Sequence, residues 1–161
     1  MANVPVTRKD SIFDQVEQVR HRIAQRAHEL FRQRDGLPGD PISDWLMAEQ
    51  ETVWKPPVEL REKDGTFTVV AALPGVEAKD VGVDVSADDV VIKASSKHTC
   101  EQTKGKVHQC EFATAELFRS VRFPKPVDAA GAKAEYRNGL LTVTVAVAQA
   151  AETKPKTVKA A

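Results

Sequence analysis

The residue types best suited to chemistry in this sequence form two matched pairs, His98-x-Cys100 and His108-x-Cys110. Each pair sets two soft ligands two residues apart, hence on one face of an extended backbone. Two such pairs facing each other would supply a tetrahedral Cys₂His₂ zinc set. The spacing lacks the Cys-x-x-Cys knuckle of strong zinc signatures. Three readings therefore stay open: a metal site, a redox-sensitive Cys100–Cys110 pairing, and no special role. No metal ligand and no cofactor is assigned. Asp88-Asp89 is a paired acid, but turn chemistry makes both solvated turn residues. The sequence contains no Gly-x-Gly-x-x-Gly, no phosphate-binding Walker loop and no Gly-x-Ser-x-Gly elbow. Nothing places a nucleophile beside a base, so no catalytic residue is assigned and an enzyme is the least supported class.

Arg119 is unusual in another way. Leu117, Val121 and Phe123 share its face at period 2, which aims a guanidinium at apolar surroundings. A charge removed from water needs an acid or carbonyl partner. The reading is an ion pair at a subunit interface.

The elements that must position these groups begin with the clearest one, Ala132 to Val145. Asn138-Gly139 tolerates positive φ at both centres of a two-residue turn and so predicts a tight hairpin. That loop sets Tyr136 opposite Leu141 and Ala134 opposite Val143. One face is then apolar (Ala132, Ala134, Tyr136, Leu141, Val143, Val145) and the other mostly polar. A one-residue slip would scramble both.

Upstream, residues 10–34 read as an amphipathic helix capped by Asp10 or Ser11, with Ile12, Val16, Val19, Ile23, Ala27, Leu30 and Phe31 at steps of three and four. A segment with two glycines and a proline ends it. A second short helix is predicted from Asp40 as cap and Pro41 in the first turn, with Trp45, Leu46 and Ala48 as apolar contacts. Two such helices are marginal alone, so their faces must dock on the chain, a second copy or a client. Lys55-Pro56-Pro57 reads as a linker. Period 2 then takes over: Val58–Lys63, Thr66–Leu73, Val81/Val83/Val85, Val90/Ile92/Ala94, Val107–Phe112 and Leu117–Phe123, with Ser95–Lys106 as a polar loop. Short strands at this spacing argue for an antiparallel β-sandwich. The divisions expected are 1–54 helical, 55–147 sandwich and 148–161 a mobile tail.

The chain has 161 residues, with 23 basic and 23 acidic side chains. That length suits one domain of roughly 100 residues with flanking segments. A balanced charge gives no field toward nucleic acid or an anionic membrane. Two cysteines suggest a reducing compartment. The first residues lack the apolar core of a secretory signal, and no apolar run approaches the roughly 20 residues of a spanning helix. A soluble cytoplasmic protein is expected.

Several motifs carry a resemblance. Ala134-x-x-x-Asn138-Gly139-Leu140-Leu141, Leu73-Pro74-Gly75 and Arg119-Ser-Val-Arg-Phe-Pro124 are similar to the signatures of the α-crystallin domain of small heat-shock proteins, over about Pro57 to Val147. Residues 92–108 resemble the bacterial-type loop of that family, whose short strand is exchanged between dimer partners. Two motifs depart from the pattern. Glu111-Phe112-Ala-Thr-Ala115 keeps only the glutamate of the family's Glu-Arg-x-x-Gly, and the tail Thr153–Lys159 lacks the Ile-x-Ile/Val triplet that links dimers. Residues 23–49 resemble a short bacterial two-helix module of unknown function.

The resemblance implies an all-β fold, an immunoglobulin-like antiparallel β-sandwich behind a short helical N-terminal region. It further implies a homodimer, with a larger homo-oligomer left open, and Arg119 at the dimer interface. The implied function is ATP-independent: unfolded client proteins are bound and kept from aggregating. Ile12, Phe13, Val16, Val19, Ile23, Leu30, Phe31, Trp45 and Leu46 are the candidate client-binding residues. The strand edge of Val81, Val83 and Val85 is a candidate groove for extended client segments. Two alternatives remain: an adaptor with one dedicated partner, and a zinc- or redox-regulated chaperone. Deleting residues 1–50 is expected to leave a folded dimer that has lost most anti-aggregation activity.

Overall fold

Alternating apolar residues between Val58 and Ala146 build two stacked sheets in the computed structural model, which describes residues 1–34, 37–97, 105–110 and 115–149. In chain order the elements are β1 (Ala2–Val4), β2 (Val6–Arg8), α1 (Phe13–Gln33), α2 (Pro41–Thr52), β3 (Val58–Lys63), β4 (Thr66–Ala72), β5 (Val81–Val85), β6 (Asp89–Ser96), β7 (Ala115–Arg122), β8 (Lys133–Arg137) and β9 (Leu140–Ala146). One sheet has five strands ordered β1-β8-β9-β4-β3, and the other four, ordered β2-β5-β6-β7. All pairings are antiparallel except β2 with β5.

The β8–β9 hairpin has the register its turn demands, Arg137 against Leu140 through Lys133 against Thr144. Asn138 and Gly139 take φ of 52° and 78°, as a type I′ turn requires. A Cβ at Gly139 would meet only ordinary contacts, the nearest Leu73 O at 3.9 Å. Gly139→Ala should therefore cost only the left-handed backbone penalty, about 1 kcal/mol, read as a shift in urea midpoint without a change in slope.

Period 2 decides which side chains enter the space between the sheets. Phe67, Val69 and Ala71 of β4, Val83 and Val85 of β5, Val90 and Ile92 of β6, and Leu141, Val143 and Val145 of β9 are all buried there. The Phe67 and Phe123 rings meet at 5.4 Å between centroids. Tyr136 brings the one hydroxyl of the apolar hairpin face into this layer. It lies 2.9 Å from the Leu73 carbonyl and 2.8 Å from that of Val76, and donates to them. A buried polar group is tolerated only with such partners.

Burial raises the Tyr136 phenol above its ordinary value. The neutral form is thus favoured in the folded chain, and the stability it contributes is intact below the unfolded value near pH 10. It fades as pH climbs through the higher folded value. Tyr136→Phe should lose about 1 kcal/mol at neutral pH and show a shallower loss of stability above pH about 10, measured by denaturation across an alkaline series.

Three segments differ from the sequence reading. Residues 2–8 are strands of both sheets rather than part of a helical arm, because Val4 fits between the sheets and is 4% exposed. Residues 107–110 form no strand, while the rest of the expected Val107–Phe112 strand lies outside the described residues. The Lys55-Pro56-Pro57 linker is docked: Pro56 is fully buried. Just before it, Trp54 bridges Leu117, with Trp54 N–H donating to Glu116 O at 3.0 Å. The expected tail from 148 falls mostly outside the described residues.

Candidate functional site

Both helices form for the reasons their sequences give. Asp40 caps α2 by accepting from the Ile42 and Ser43 amides at 3.3 and 3.2 Å, with Pro41 in the first turn. α1 begins at Phe13 with Ile12 as its N-cap, one residue past Ser11 and two past Asp10; Ser11 still accepts from the Phe13 amide at 3.1 Å. Ion pairs fasten the hairpin of α1 and α2: Arg34 to Asp44 at 2.5 Å and Arg26 to Glu51 at 2.7 Å. Glu51 and Glu29 hold the Arg26 guanidinium above its ordinary value through hydrogen bonds. The hairpin leans on the four-stranded sheet through Arg22 and Glu116.

The expected client-binding stripe splits in two. Ile12 and Ile23 are buried, and Val16, Val19, Leu30 and Trp45 are half-buried. Several of these line a cleft of about 350 Å³ between the helices and the Phe118–Ser120 stretch of β7. Their period-3.6 pattern is real, but it faces the chain's own sheet. Phe13, Phe31 and Leu46 face solvent, at 65%, 57% and 52% exposure. Leu37, Ile42 and Met47 join them at 70%, 68% and 53%. The sequence reading missed these three. The signal was present in the i, i+4 spacing of Ile42 and Leu46 on α2. The Arg34 guanidinium lies 5.6 Å over the Phe31 ring, and the His28 ring stacks with Phe31 at 6.3 Å between centroids.

The other candidates are placed as follows. Val81, Val83 and Val85 point into the core, and the β5 edge that carries them is not free, since β2 pairs along it from Val6–Val83 to Arg8–Val85. Arg119 sits opposite Ile92 on the inner face of β7. It is half-buried rather than enclosed because β7 is the last strand of its sheet, and its Nε is buried with no hydrogen-bond partner among the described residues. Among the described residues no three His, Cys, Asp or Glu side chains gather as a metal set. His108 is exposed, and Cys110 is held in a disulfide and presents no thiolate; His98 and Cys100 lie outside the described residues. No described helix is long and apolar enough to cross a membrane.

A two-sheet β body with Leu-Pro-Gly and Asn-Gly turns docked on each other (Leu73 N–H to Gly139 O, 2.7 Å), fronted by a helical hairpin, has the architecture of an α-crystallin-type domain. Residues 59–161 match the Hsp20/alpha crystallin family, and the chain belongs to that family. Residues 18–52 match a family described as a protein of unknown function, DUF2934.

The chain is 31% identical over 103 residues to the "Probable 15 kDa heat shock protein" of Leptospira interrogans, covering 64% of this chain and 78% of that one. It is 38% identical over 95 residues to the "Alpha-crystallin" of Mycobacterium tuberculosis, covering 57% of this chain and 62% of that one. The solved heat shock protein 16.0 from Schizosaccharomyces pombe is similar at TM-score 0.54 and 27% identity, over 66% of this chain and 99% of that one. Members of the family are non-enzymatic chaperones, and membership implies a chaperone function here.

Proposed function

We propose that this chain is an ATP-independent holdase: it covers apolar segments of partly unfolded proteins and keeps them from aggregating until other machinery refolds them. The observation that carries this reading is where the large exposed apolar side chains lie. Among the described residues six of the ten (Phe13, Phe31, Leu37, Ile42, Leu46 and Met47) belong to α1, α2 and the turn between; the others, Met1, Trp54, Val107 and Leu140, are scattered along the rest of the chain. Exposed apolar surface concentrated on one element is rare on a chain with no partner. Here most of it sits on the helical hairpin. Clients would bind by burying their own apolar side chains against it, at about 25 cal/mol for each Å² removed from water.

The dimer is the scaffold of the same reading. Arg119 would find there the acid that the described residues of its own chain do not give to Nε. Arg119→Ala should shift the sedimentation equilibrium toward single chains, while Arg119→Lys, which keeps charge but not the planar fork, should recover only part of the association.

Light scattering of two unrelated heat-denatured enzymes, with purified chain and no nucleotide, tests the holdase reading. Suppression of both at near-stoichiometric amounts is expected. An adaptor with one dedicated partner would protect neither, and that outcome would overturn the proposal.

A further inference from the structure

The cleft beneath the helical hairpin combines features that client binding leaves unused. It lies beside the edge of β7, where Trp54 bridges Leu117, and the neighbours of that tryptophan, Val53 and Lys55, form one side of it. Val16, Val19 and Ile23 of α1, Trp45 of α2 and Phe118 of β7 give it apolar walls. Its volume of about 350 Å³ is at the small end of ligand sites, which span roughly 300 to 1,000 Å³. The charges around it are uneven. Among the described residues, Arg20, Lys55 and Arg119 border it against one acid, Glu49, and Lys55 already holds Glu49 at 2.6 Å. Arg20 lies a long 3.6 Å from Glu17. That leaves Arg119, whose buried Nε has no hydrogen-bond partner among the described residues. β7 is the last strand of its sheet, so a residue of its inner face still borders a cleft at the edge.

We propose that this cleft binds a small aliphatic monocarboxylate, its tail against Val16, Val19, Trp45 and Phe118 and its carboxylate accepting hydrogen bonds from the Arg119 guanidinium. A mostly apolar lining with one convergent polar group selects a ligand with one polar end. The excess of cations makes that end an anion. A guanidinium and a carboxylate make short, charge-assisted bonds with a fixed geometry, and a buried cationic donor without a partner calls for one. The ion pair at the dimer interface uses the same side chain. Its planar fork carries donors on more than one edge, so an acid from a second copy and a bound carboxylate are compatible. The site does not rest on the holdase reading, whose exposed side chains (Phe13, Phe31 and Leu46 among them) lie outside the cleft.

Trp45 reports on the cleft from within. The chain has two tryptophans, so Trp54→Phe leaves Trp45 as the single emitter. The bridge from residue 54 to β7 is made by backbone groups, Trp54 N–H to Glu116 O and Phe118 N–H to Trp54 O, and survives that change. Decanoate, decanol and decylammonium are titrated separately, below the concentrations at which they form micelles, and Trp45 emission is followed. The three probes share a tail and differ in charge, so the ratio of their affinities within one preparation reads the anchor and is blind to the state of association.

Saturable binding is expected, with decanoate about tenfold tighter than decanol and decylammonium the weakest. Arg119→Gln should abolish the preference for decanoate and leave decanol unchanged, whereas Arg119→Lys should keep part of the preference. Val19→Phe, which fills the tail space, should weaken decanoate and decanol alike, severalfold. The F13S/F31S/L46S chain should bind as the parent does. No saturable change, no preference for the acid, a preference that survives Arg119→Gln, or binding indifferent to Val19→Phe would each overturn the proposal. Binding lost in the serine chain would place the probe on the exposed patch instead, and equally overturns it.

Discussion

A chain carrying Phe13→Ser, Phe31→Ser and Leu46→Ser is expected to lose most of its protection of a heat-denatured enzyme while melting within a few degrees of the parent. All three side chains are more than half exposed, so removing them leaves no cavity, and exposed substitutions of this kind cost about 0.5 kcal/mol or less each. Against a client the same side chains are worth far more. An apolar side chain of that size gains about 2 kcal/mol when covered. Three of them at even half that value amount to roughly a hundredfold in binding.

The comparison that isolates the effect is Ile23→Ser. Ile23 is 5% exposed, and this change should loosen the hairpin and lower the midpoint without touching the exposed patch itself. Protection is read by light scattering and stability by calorimetry on the same preparations. Full protection by the triple variant would place client binding elsewhere on the chain.

How much of this was written in the sequence depends on how local each signal is. Asn138-Gly139 fixes its own φ values and the register follows, so the hairpin was legible to the residue. The strands from Val58 to Ala94 were legible because alternation over five or more residues has one explanation. α1 and α2 were legible through spacing and through Asp40-Pro41. What a stripe of apolar residues faces is another matter. Val16, Val19 and Ile23 have the same period whether they meet a client or the outer side of β7, and only the tertiary path of the chain brings β7 to them. Val81, Val83 and Val85 likewise alternate correctly, yet nothing local says that residues 6–8, some seventy-five positions away, lie along their edge.

Outward polar positions mislead in the same manner. Asp84 alternates with the buried valines but is itself 8% exposed; Lys93 at 2.8 Å pairs with it, and Thr7 lies alongside. Arg119 was placed on the right face. Its half-burial reflects a position at the sheet's end that period 2 cannot encode.

Removing residues 1–8 should lower the stability of the sandwich by roughly 2–3 kcal/mol, because it takes Val4 from the core and reopens two backbone edges. For a domain of this size that is a fall in melting midpoint of roughly 10 °C or more, with aggregation on heating because β5 and β8 become templates. Val4→Ala in the full chain should reproduce part of the loss by emptying the same pocket while leaving the ladder in place. A truncated chain that melts within two or so degrees of the parent would mean that the arm contributes nothing to the fold.

The result also decides how larger deletions are read. A fragment lacking residues 1–50 loses the exposed apolar side chains of the helical hairpin, the two N-terminal strands and the buried Ala48 contact together. Its loss of protection would therefore mix weaker binding with a weaker domain. The serine variant leaves β1, β2 and the sandwich core intact and gives up only the Phe31 ring's contacts with Arg34 and His28, so a loss of protection at unchanged melting midpoint measures client binding, and the eight-residue truncation supplies the other half of the separation.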